Sequence, residues 1–137
     1  MCIRDRCMRL PLTNPEEPTS VDLKQFCEMI DTFMDNGFTY FDTAYPYHQR
    51  QSELFVKKAL VERYPRNSFT LADKLPVPFM KTKEDAKRIF EEQLEKCGVN
   101  YFDYYLLHSL NRNHYQTALK FGCFDFIKKS SSFANGW

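Results

Sequence analysis

Residues 41–47 read Phe-Asp-Thr-Ala-Tyr-Pro-Tyr, and the other elements of the chain can be placed from this segment. Residues 39–41 are β-branched or aromatic and closely follow Gly37, a pattern typical of a short buried strand. Asp42 comes at the end of that strand, and the proline in the segment indicates a loop. The segment therefore predicts a strand that ends at Asp42 and a loop that follows it.

Two more polar residues end apolar runs in a similar way. Lys74 closely follows the run at residues 69–72, and His108 follows residues 104–107. The strand ends are separated by 32 residues (74 − 42) and 34 residues (108 − 74), which is about the length of one βαβ unit. The predicted sheet is therefore parallel. Asp42, Lys74 and His108 are expected to converge at its carboxyl edge, where ligands and chemistry gather in such folds.

Helical periodicity fills the gaps between the predicted strands. The predicted helices run from a capping signal at Thr19 and Asp22 to Asn36-Gly37, from Ser52 to Pro65, and from a capping signal at Thr82 and Asp85 to Gly98. Their apolar stripes are Leu23, Phe26, Cys27, Ile30, Phe33 and Met34, then Val56, Ala59 and Leu60, then Ala86, Ile89, Phe90, Leu94 and Cys97. A weaker fourth helical region is predicted at residues 115–129, with a break near Gly122.

Four predicted βα units imply an α/β protein. A closed (β/α)8 barrel takes about 250 residues, so a chain of 137 residues would form roughly half of one. An open parallel sheet is the alternative. We assign the domain to residues 7–129, with its first strand ending at residues 7–10. We expect a non-native or disordered leader at residues 1–6 and a disordered tail at residues 130–137.

Composition excludes several classes of function. A formal net charge of +1, with basic and acidic residues interspersed, lacks the basic stripe of a nucleic-acid-binding protein. No apolar run approaches the roughly 18 residues of a membrane span. The five cysteines are scattered and form no C-x-x-C pair, so neither a disulfide framework nor a metal site is indicated. These features favour a reducing, cytoplasmic location.

The predicted strand-end residues have complementary chemistry. Lys74 within reach of Asp42 would form a buried ion pair, attracted by roughly 4 kcal/mol at about 4 Å in an effective dielectric near 20. The ammonium would favour the phenolate of Tyr47 and make it a better proton donor, and His108 would hydrogen-bond at the same point. Singly, each residue is more often a cap, a rim charge or a packing group. Their convergence favours acid–base chemistry at an oxygen atom.

The other two histidines have no such support. His48 and His114 follow no predicted strand directly, and we expect both side chains to be exposed.

Three segments of the sequence resemble the aldo-keto reductase family. Residues 41–47 resemble the family's Asp-Thr-Ala loop, in which a tyrosine lies five positions after the aspartate. Residues 72–75 resemble the strand with the family's lysine, and residues 101–108 resemble the strand that ends in its histidine. The similarity extends from Cys7 to about Lys129 and implies the N-terminal half of a (β/α)8 barrel.

The resemblance implies an oxidoreductase that reduces a small-molecule carbonyl or oxidises an alcohol. Its implied catalytic residues are Tyr47 as general acid, Lys74 as the group that activates it, Asp42 as the partner that holds Lys74, and His108 as the group that orients the carbonyl. Hydride would come from a nicotinamide cofactor, usually NADPH, with NADH as the other option. Met8, in the segment that resembles the end of the family's first strand, and Asp42 are the implied cofactor contacts.

The sequence departs from the family at both ends. Residues 3–6 replace the glycines that precede the family's first strand end, and the later segments that sandwich the nicotinamide ring and bind the adenosine phosphate are not in the chain. We therefore expect the chain alone to bind NADPH weakly, to be inactive and to self-associate through open sheet edges.

Two other classes of function remain open. A Schiff-base lyase would use Lys74 as its nucleophile, although a carboxylate partner keeps a lysine charged and works against that role. A non-catalytic fragment would bind a partner chain through its sheet edges.

Overall fold

The computed structural model describes residues 5–133, and within this range four strands form one parallel sheet. The strands lie in sequence order and run Asp5–Arg6 (β1), Tyr40–Asp42 (β2), Thr70–Leu75 (β3) and Tyr104–Leu107 (β4). Each neighbouring pair is parallel. Because helices connect successive strands, the fold is the partial (β/α)8 barrel that the sequence predicts.

Five α-helices occur in the described range. They are α1 (Leu23–Asp35), α2 (Ser52–Val56), α3 (Asp85–Cys97), α4 (Arg112–Lys120) and α5 (Cys123–Phe133). A π-helical turn at Lys57–Val61 continues α2. The break predicted near Gly122 is confirmed, since this glycine separates α4 from α5 with a φ of 67°. None of these helices has the length and apolar character that a bilayer crossing requires.

The first helix shows how local sequence fixes an element. The Asp22 carboxylate accepts a hydrogen bond from the Gln25 N–H at 2.9 Å, so Asp22 is the N-cap and the predicted start at Thr19 is three residues early. Phe26 and Ile30, one helical turn apart, are both buried. The helix therefore begins at its side-chain cap and uses the predicted apolar stripe to pack.

One face of the sheet packs against the helices. Phe41 of β2, and Leu71 and Leu75 of β3, lie on this face and are fully buried. The α2 stripe packs on the same side through Val56 and Leu60, which are also inaccessible to solvent. The main hydrophobic core therefore lies between the sheet and its helices.

The other face of the sheet is open. Asp42 is in register with Ala72, and Lys74 with Leu106, so alternation of side chains places these residues on the face opposite the core. Leu106 is 42% exposed and Tyr104, on the same face, is 55% exposed. In a closed barrel this face lines the interior, so the candidate site and an exposed apolar surface share one side of the sheet.

The first strand lies earlier than predicted. Residues 7–10 were expected to end it, but the strand is Asp5–Arg6, which pairs with Phe41 and Asp42, and the chain turns from Cys7 onward. The Leu10 N–H donates to a histidine ring instead of a neighbouring strand. Cys7 and Leu10 are buried, which explains the strand-like apolar pattern without a strand.

The predicted domain boundaries shift at both ends. The leader predicted at residues 1–6 is wrong for Asp5–Arg6, and residues 1–4 lie outside the described residues. The tail predicted to be disordered at residues 130–137 is wrong for its first four residues, because α5 continues to Phe133. Residues 134–137 lie outside the described residues. Apolar packing of α5 against α3 and β4 overrides the weak helix propensity of its serines.

Candidate active site

The candidate site is built where β2 and β3 end. The Lys74 ammonium donates to Asp42 Oδ1 and, at 2.6 Å, to the backbone carbonyl of Thr43. The Lys74 and Asp42 side chains are only 12% and 9% exposed, so solvent screens their attraction weakly. Two acceptors therefore fix the ammonium at the carboxyl end of the sheet.

Tyr47 and His108 complete a cluster of four side chains. The Lys74 Nζ lies 5.1 Å from the centroid of the Tyr47 ring. The rings of Tyr47 and His108 meet edge to face, with centroids 5.6 Å apart and planes at 86°. The His108 N–H donates to the Leu75 carbonyl at 2.9 Å, which ties the end of β4 to the end of β3. The geometry combines a phenol, an ammonium, a carboxylate and an imidazole at one edge.

The protonation state of His108 follows from its surroundings. Partial burial lowers the pKa of His108 below its usual value, the positive charge of Lys74 lowers it further, and Asp42 opposes the shift. Because the usual value is about 6.5, the neutral imidazole is favoured near neutral pH. A neutral imidazole has one N–H donor and one acceptor, so His108 can donate a hydrogen bond to a carbonyl oxygen.

The turn that follows the site tyrosine has an unusual backbone. His48, Gln49 and Arg50 have positive φ angles of 48°, 52° and 70°. For a residue with a side chain, the left-handed region costs roughly 1–2 kcal/mol. The Arg50 guanidinium restrains one end of the turn, since it donates to Glu92 at 3.2 Å and lies 4.3 Å from the centroid of the Tyr45 ring. Backbone strain is therefore concentrated beside the candidate acid.

We expect Gln49→Gly to increase the free energy of unfolding by roughly 0.5–1 kcal/mol. Glycine adopts a φ of 52° without steric penalty, and the Gln49 side chain is exposed, so no packing is lost. Denaturant unfolding would measure the change. The control is Gln116→Gly, at an exposed position within α4, which should lose about 1 kcal/mol. Destabilisation at both positions would contradict a strained turn.

Two buried hydroxyl groups fasten the start of the site loop. The Oγ1 of Thr43 and the Oγ of Ser52 are 3.0 Å apart, and the Ser52 hydroxyl donates to the Cys7 carbonyl at 2.9 Å. Both residues are inaccessible to solvent. The ends of β1 and β2 are thereby joined to the first residue of α2.

A buried amide holds the site lysine from behind the sheet. The Gln93 side-chain amide donates to the Lys74 carbonyl at 3.2 Å and to Glu53 Oε1 at 3.0 Å. The Tyr105 hydroxyl donates to Gln93 Oε1 at 2.6 Å. Lys96 Nζ lies 3.5 Å from the other Glu53 oxygen. The backbone at Lys74 is therefore bound to α2, α3 and β4 through one side chain.

A second buried carboxyl group lies next to Lys74 on the helix-facing side of β3. Asp73 is inaccessible to solvent and accepts the Lys74 N–H at 2.7 Å. Burial raises the pKa of Asp73 well above its usual range, and the negative charge of Glu53 raises it further. Burial also raises the pKa of Glu53, against the opposing charge of Lys96. The protein therefore holds two acidic groups in positions that disfavour their charged forms.

Asp73→Asn should stabilise the protein at neutral pH and flatten the pH dependence of its stability. With a raised pKa, the folded state binds a proton that the unfolded state has released, so the free energy of unfolding falls as pH rises from about 4 to the folded-state pKa. The slope is at most about 1.4 kcal/mol per pH unit for one proton. An asparagine still accepts the Lys74 N–H but has no proton to lose.

The measurement for Asp73→Asn is urea unfolding at several pH values above 4. The control is Asp35→Asn at the exposed end of α1, which should leave the pH profile of stability nearly unchanged. An Asp73→Asn profile as steep as that of the unsubstituted protein would show that Asp73 is not the titrating group.

The structure brings together the four residues predicted to form the site, namely Asp42, Tyr47, Lys74 and His108. The implied cofactor contact Met8 lies in the turn after β1 and is 41% exposed. The N–H of the preceding Cys7 donates to the Asp42 carbonyl at 2.8 Å, so the two implied cofactor residues belong to adjacent strand ends. The catalytic and cofactor-binding roles stay predictions.

The prediction for the other two histidines is wrong. Both are half-buried and bonded to the backbone. His48 Nε2 accepts the Leu10 N–H at 3.1 Å, and His114 Nδ1 lies 2.6 Å from the Ser109 carbonyl. Their partners lie in other loops or outside a regular strand, so strand-end spacing gave no indication of them.

The sequence analysis missed the buried polar residues that support the site. Glu53 lies three and seven residues before Val56 and Leu60, and Gln93 lies four residues before Cys97, so both occupy the apolar stripes of their helices. A polar residue in an apolar stripe is a signal of a buried hydrogen-bond partner. That signal identifies Glu53 and Gln93, although not what they contact.

The fold and the cluster define a barrel-type α/β protein with a Tyr-Lys-Asp-His arrangement at the carboxyl end of its strands. The family model described as Aldo/keto reductase family matches residues 11–131 of the 137-residue chain. The chain therefore belongs to the aldo/keto reductase family. None of the curated proteins matches its sequence.

Solved structures of aldo-keto reductases share the fold. A thermostable enzyme in complex with the inhibitor epalrestat is 18% identical, with a TM-score of 0.61 over 93% of this chain and 47% of its own. An enzyme from Klebsiella pneumoniae in complex with NADPH is 21% identical, with a TM-score of 0.63 over 89% and 42%. One from Brucella melitensis is 19% identical, with a TM-score of 0.59 over 93% and 46%. The chain thus spans less than half the length of these structures.

Proposed function

We propose that this protein contributes the catalytic half of an NAD(P)H-dependent carbonyl reductase that also oxidises alcohols. The observation that carries the proposal is the contact of Tyr47 with both Lys74 and His108, together with the Lys74–Asp42 ion pair, at the carboxyl end of a parallel sheet. Family membership supports the same reading. The substrate class is a small-molecule aldehyde or ketone.

Each residue of the cluster has a distinct role in this proposal. Tyr47 protonates the carbonyl oxygen as the general acid, and the nearby Lys74 ammonium stabilises the phenolate that remains. Asp42 holds Lys74 in place through the buried ion pair. His108, neutral because of its lowered pKa, donates a hydrogen bond that orients the carbonyl oxygen.

The residues present fit the nicotinamide end of an NADPH or NADH molecule. When bound, the cofactor supplies hydride to the carbonyl carbon. Met8 offers an exposed apolar side chain beside the strand end of Asp42, whose carboxylate can accept a hydrogen bond from a ribose hydroxyl. A related structure from Klebsiella pneumoniae is a complex with NADPH. Met8 and Asp42 are the proposed cofactor-binding residues of this chain.

The geometry disfavours a Schiff-base lyase. Lys74 donates to a carboxylate and to the Thr43 carbonyl, and both acceptors favour the ammonium over the neutral amine that attacks a carbonyl. Borohydride treatment in the presence of a carbonyl compound is therefore expected to leave Lys74 unmodified.

The proposed function is tested with the complete product of the gene that encodes this sequence. NADPH oxidation is followed with aldehydes and ketones, and alcohol oxidation with NADP in the reverse direction. We expect carbonyl-dependent NADPH consumption. Covalent trapping at Lys74 without NADPH consumption would favour the lyase instead, and neither activity would favour a non-catalytic interaction protein.

We expect the 137-residue chain alone to associate with a second copy and to bind NADPH weakly. Within the described residues, β1 and β4 each pair with one strand only, and β4 presents exposed Tyr104 and Leu106 on the open face. In barrels of this kind the loops after strands seven and eight frequently bind phosphate. Light scattering and an NADPH fluorescence titration measure both properties. A monomer that binds NADPH at micromolar affinity would contradict the expectation.

A cytoplasmic location is part of the proposal. Cys7, Cys27, Cys97 and Cys123 are free thiols, and a reducing compartment maintains thiols in that form.

A further inference from the structure

His48, directly after the candidate acid Tyr47, joins two loops of the site. Its Nε2 accepts the Leu10 N–H at 3.1 Å, and its Nδ1 lies 2.7 Å from the Pro18 carbonyl oxygen. Both partners belong to the segment between β1 and α1, which also contains Met8. The imidazole is half-buried between these groups. One side chain therefore connects the tyrosine loop to the loop of the proposed cofactor contact.

The two contacts define one form of the ring. A backbone N–H only donates, so Nε2 must be unprotonated to accept from Leu10. A carbonyl oxygen only accepts, so Nδ1 must bear the hydrogen that bonds to Pro18. The neutral tautomer with its proton on Nδ1 satisfies both contacts. The opposite tautomer satisfies neither, and the imidazolium loses the contact with Leu10.

The backbone beside His48 makes this connection consequential. His48 and the next two residues all have left-handed φ angles, a conformation that persists only when surrounding contacts hold it. Arg50 restrains the far end of the turn through Glu92. At the near end, next to Tyr47, the two imidazole contacts tie the turn to the body of the protein.

We propose that His48 is a positioning residue for Tyr47: its neutral imidazole locks the strained turn against the segment between β1 and α1 and thereby holds the Tyr47 ring against His108 and Lys74. The structural part of this proposal depends only on the contacts above. The consequence for catalysis rests on the proposed function, in which Tyr47 is the general acid. His48 itself contacts neither of its cluster neighbours in this role and acts through the backbone of the turn.

The structural test uses nuclear magnetic resonance on the 137-residue chain. Imidazole ¹⁵N spectra should show the Nδ1-protonated neutral tautomer of His48. In His48→Leu, the Leu10 amide should exchange with solvent at least about tenfold faster, since a factor of 10 corresponds to one weak hydrogen bond. The nuclear Overhauser effect between the Tyr47 and His108 rings should weaken. An Nε2-protonated ring, or an undiminished effect in His48→Leu, would overturn the proposal.

Two further variants separate positioning from general loosening. His48→Gln keeps an acceptor and a donor on the side chain and should recover part of the Leu10 protection and of the ring contact. Ser20→Ala is the matched control, because its hydroxyl bonds to Asn14 and Glu17 in the same segment. It should leave the Tyr47–His108 contact intact. Equal loss of that contact in Ser20→Ala would overturn the specific role of His48.

The catalytic consequence is measured on the complete gene product. His48→Leu should lower kcat roughly tenfold or more, since small misplacements of a reacting group have large effects, while KM for the carbonyl changes little. A lower affinity with unchanged kcat would overturn the positioning role. If the unsubstituted protein reduces no carbonyl, the proposed function fails, and the resonance measurements alone then decide whether His48 positions Tyr47.

Discussion

Replacing Tyr47 with phenylalanine is expected to lower kcat for carbonyl reduction by about 10²–10⁴-fold while the affinity for NADPH stays nearly unchanged. Phenylalanine keeps the ring, and with it the contact to His108 at a centroid distance of 5.6 Å and the position 5.1 Å from the Lys74 ammonium. The hydroxyl alone is lost. Because a general acid acts in the transition state, kcat and kcat/KM should fall together.

The measurement combines steady-state kinetics with NADPH binding, both on the complete gene product. Tyr45→Phe is the matched control. Tyr45 lies in the same loop, but its hydroxyl faces Glu92, at 3.3 Å from Oε2, and its ring is buried. Removal of that hydroxyl should leave kcat within a few-fold of the unsubstituted value. An equal fall of kcat in Tyr45→Phe, or an equal loss of NADPH affinity in Tyr47→Phe, would contradict the assignment.

The repeating unit of the fold is predictable from the sequence because it depends on local signals. Side-chain caps, apolar stripes and glycine stops act over a few residues, and they place α1 and α3 to within a turn. The spacing of strand ends then requires parallel strands. Convergence of Asp42, Lys74 and His108 follows from topology, since parallel strands present their carboxyl ends at one edge.

The support of the site is less predictable because its partners are distant in sequence. Gln93 holds Lys74 from α3, and Glu53 meets Gln93 across a separation of 40 residues. A stripe pattern shows that these polar groups are buried, but only the packed structure shows which groups satisfy them. Asp73 has no such signal. Alternation along β3 places it on the helix side only once Lys74 is known to face the site.

The first strand illustrates a limit of apolar patterns. Cys7 and Leu10 are buried in a turn because nearby loops cover them, and burial alone does not distinguish that turn from a strand. His48 escapes prediction for a related reason. Its two partners, Leu10 and Pro18, are 38 and 30 residues away, and a neutral histidine that bridges backbone groups leaves no local pattern.

Lys74→Met is expected to reduce the free energy of unfolding by about 3–5 kcal/mol. Methionine matches the length of much of the lysine side chain but provides no charge. The Asp42 carboxylate, with a side chain only 9% exposed, then remains in the sheet without its cation. The cost comes mainly from this uncompensated charge, since water cannot reach the carboxylate freely. Denaturant unfolding at neutral pH measures the loss.

A second substitution separates the stranded charge from the lost contacts. Asp42→Leu in the Lys74→Met background removes the unpaired carboxylate and should recover much of the stability, because apolar residues often replace a buried ion pair without loss. The pair should therefore show a coupling free energy of about 1 kcal/mol or more. Lys87→Met is the matched control: its partner Glu91 lies 3.7 Å away on α3, and their side chains are 76% and 61% exposed. That change should stay within about 0.5 kcal/mol, since solvent screens an exposed pair. If Lys74→Met is as mild as Lys87→Met, or if the two changes in the buried pair are additive, the ion pair does not hold the ammonium in the way that activation of Tyr47 requires.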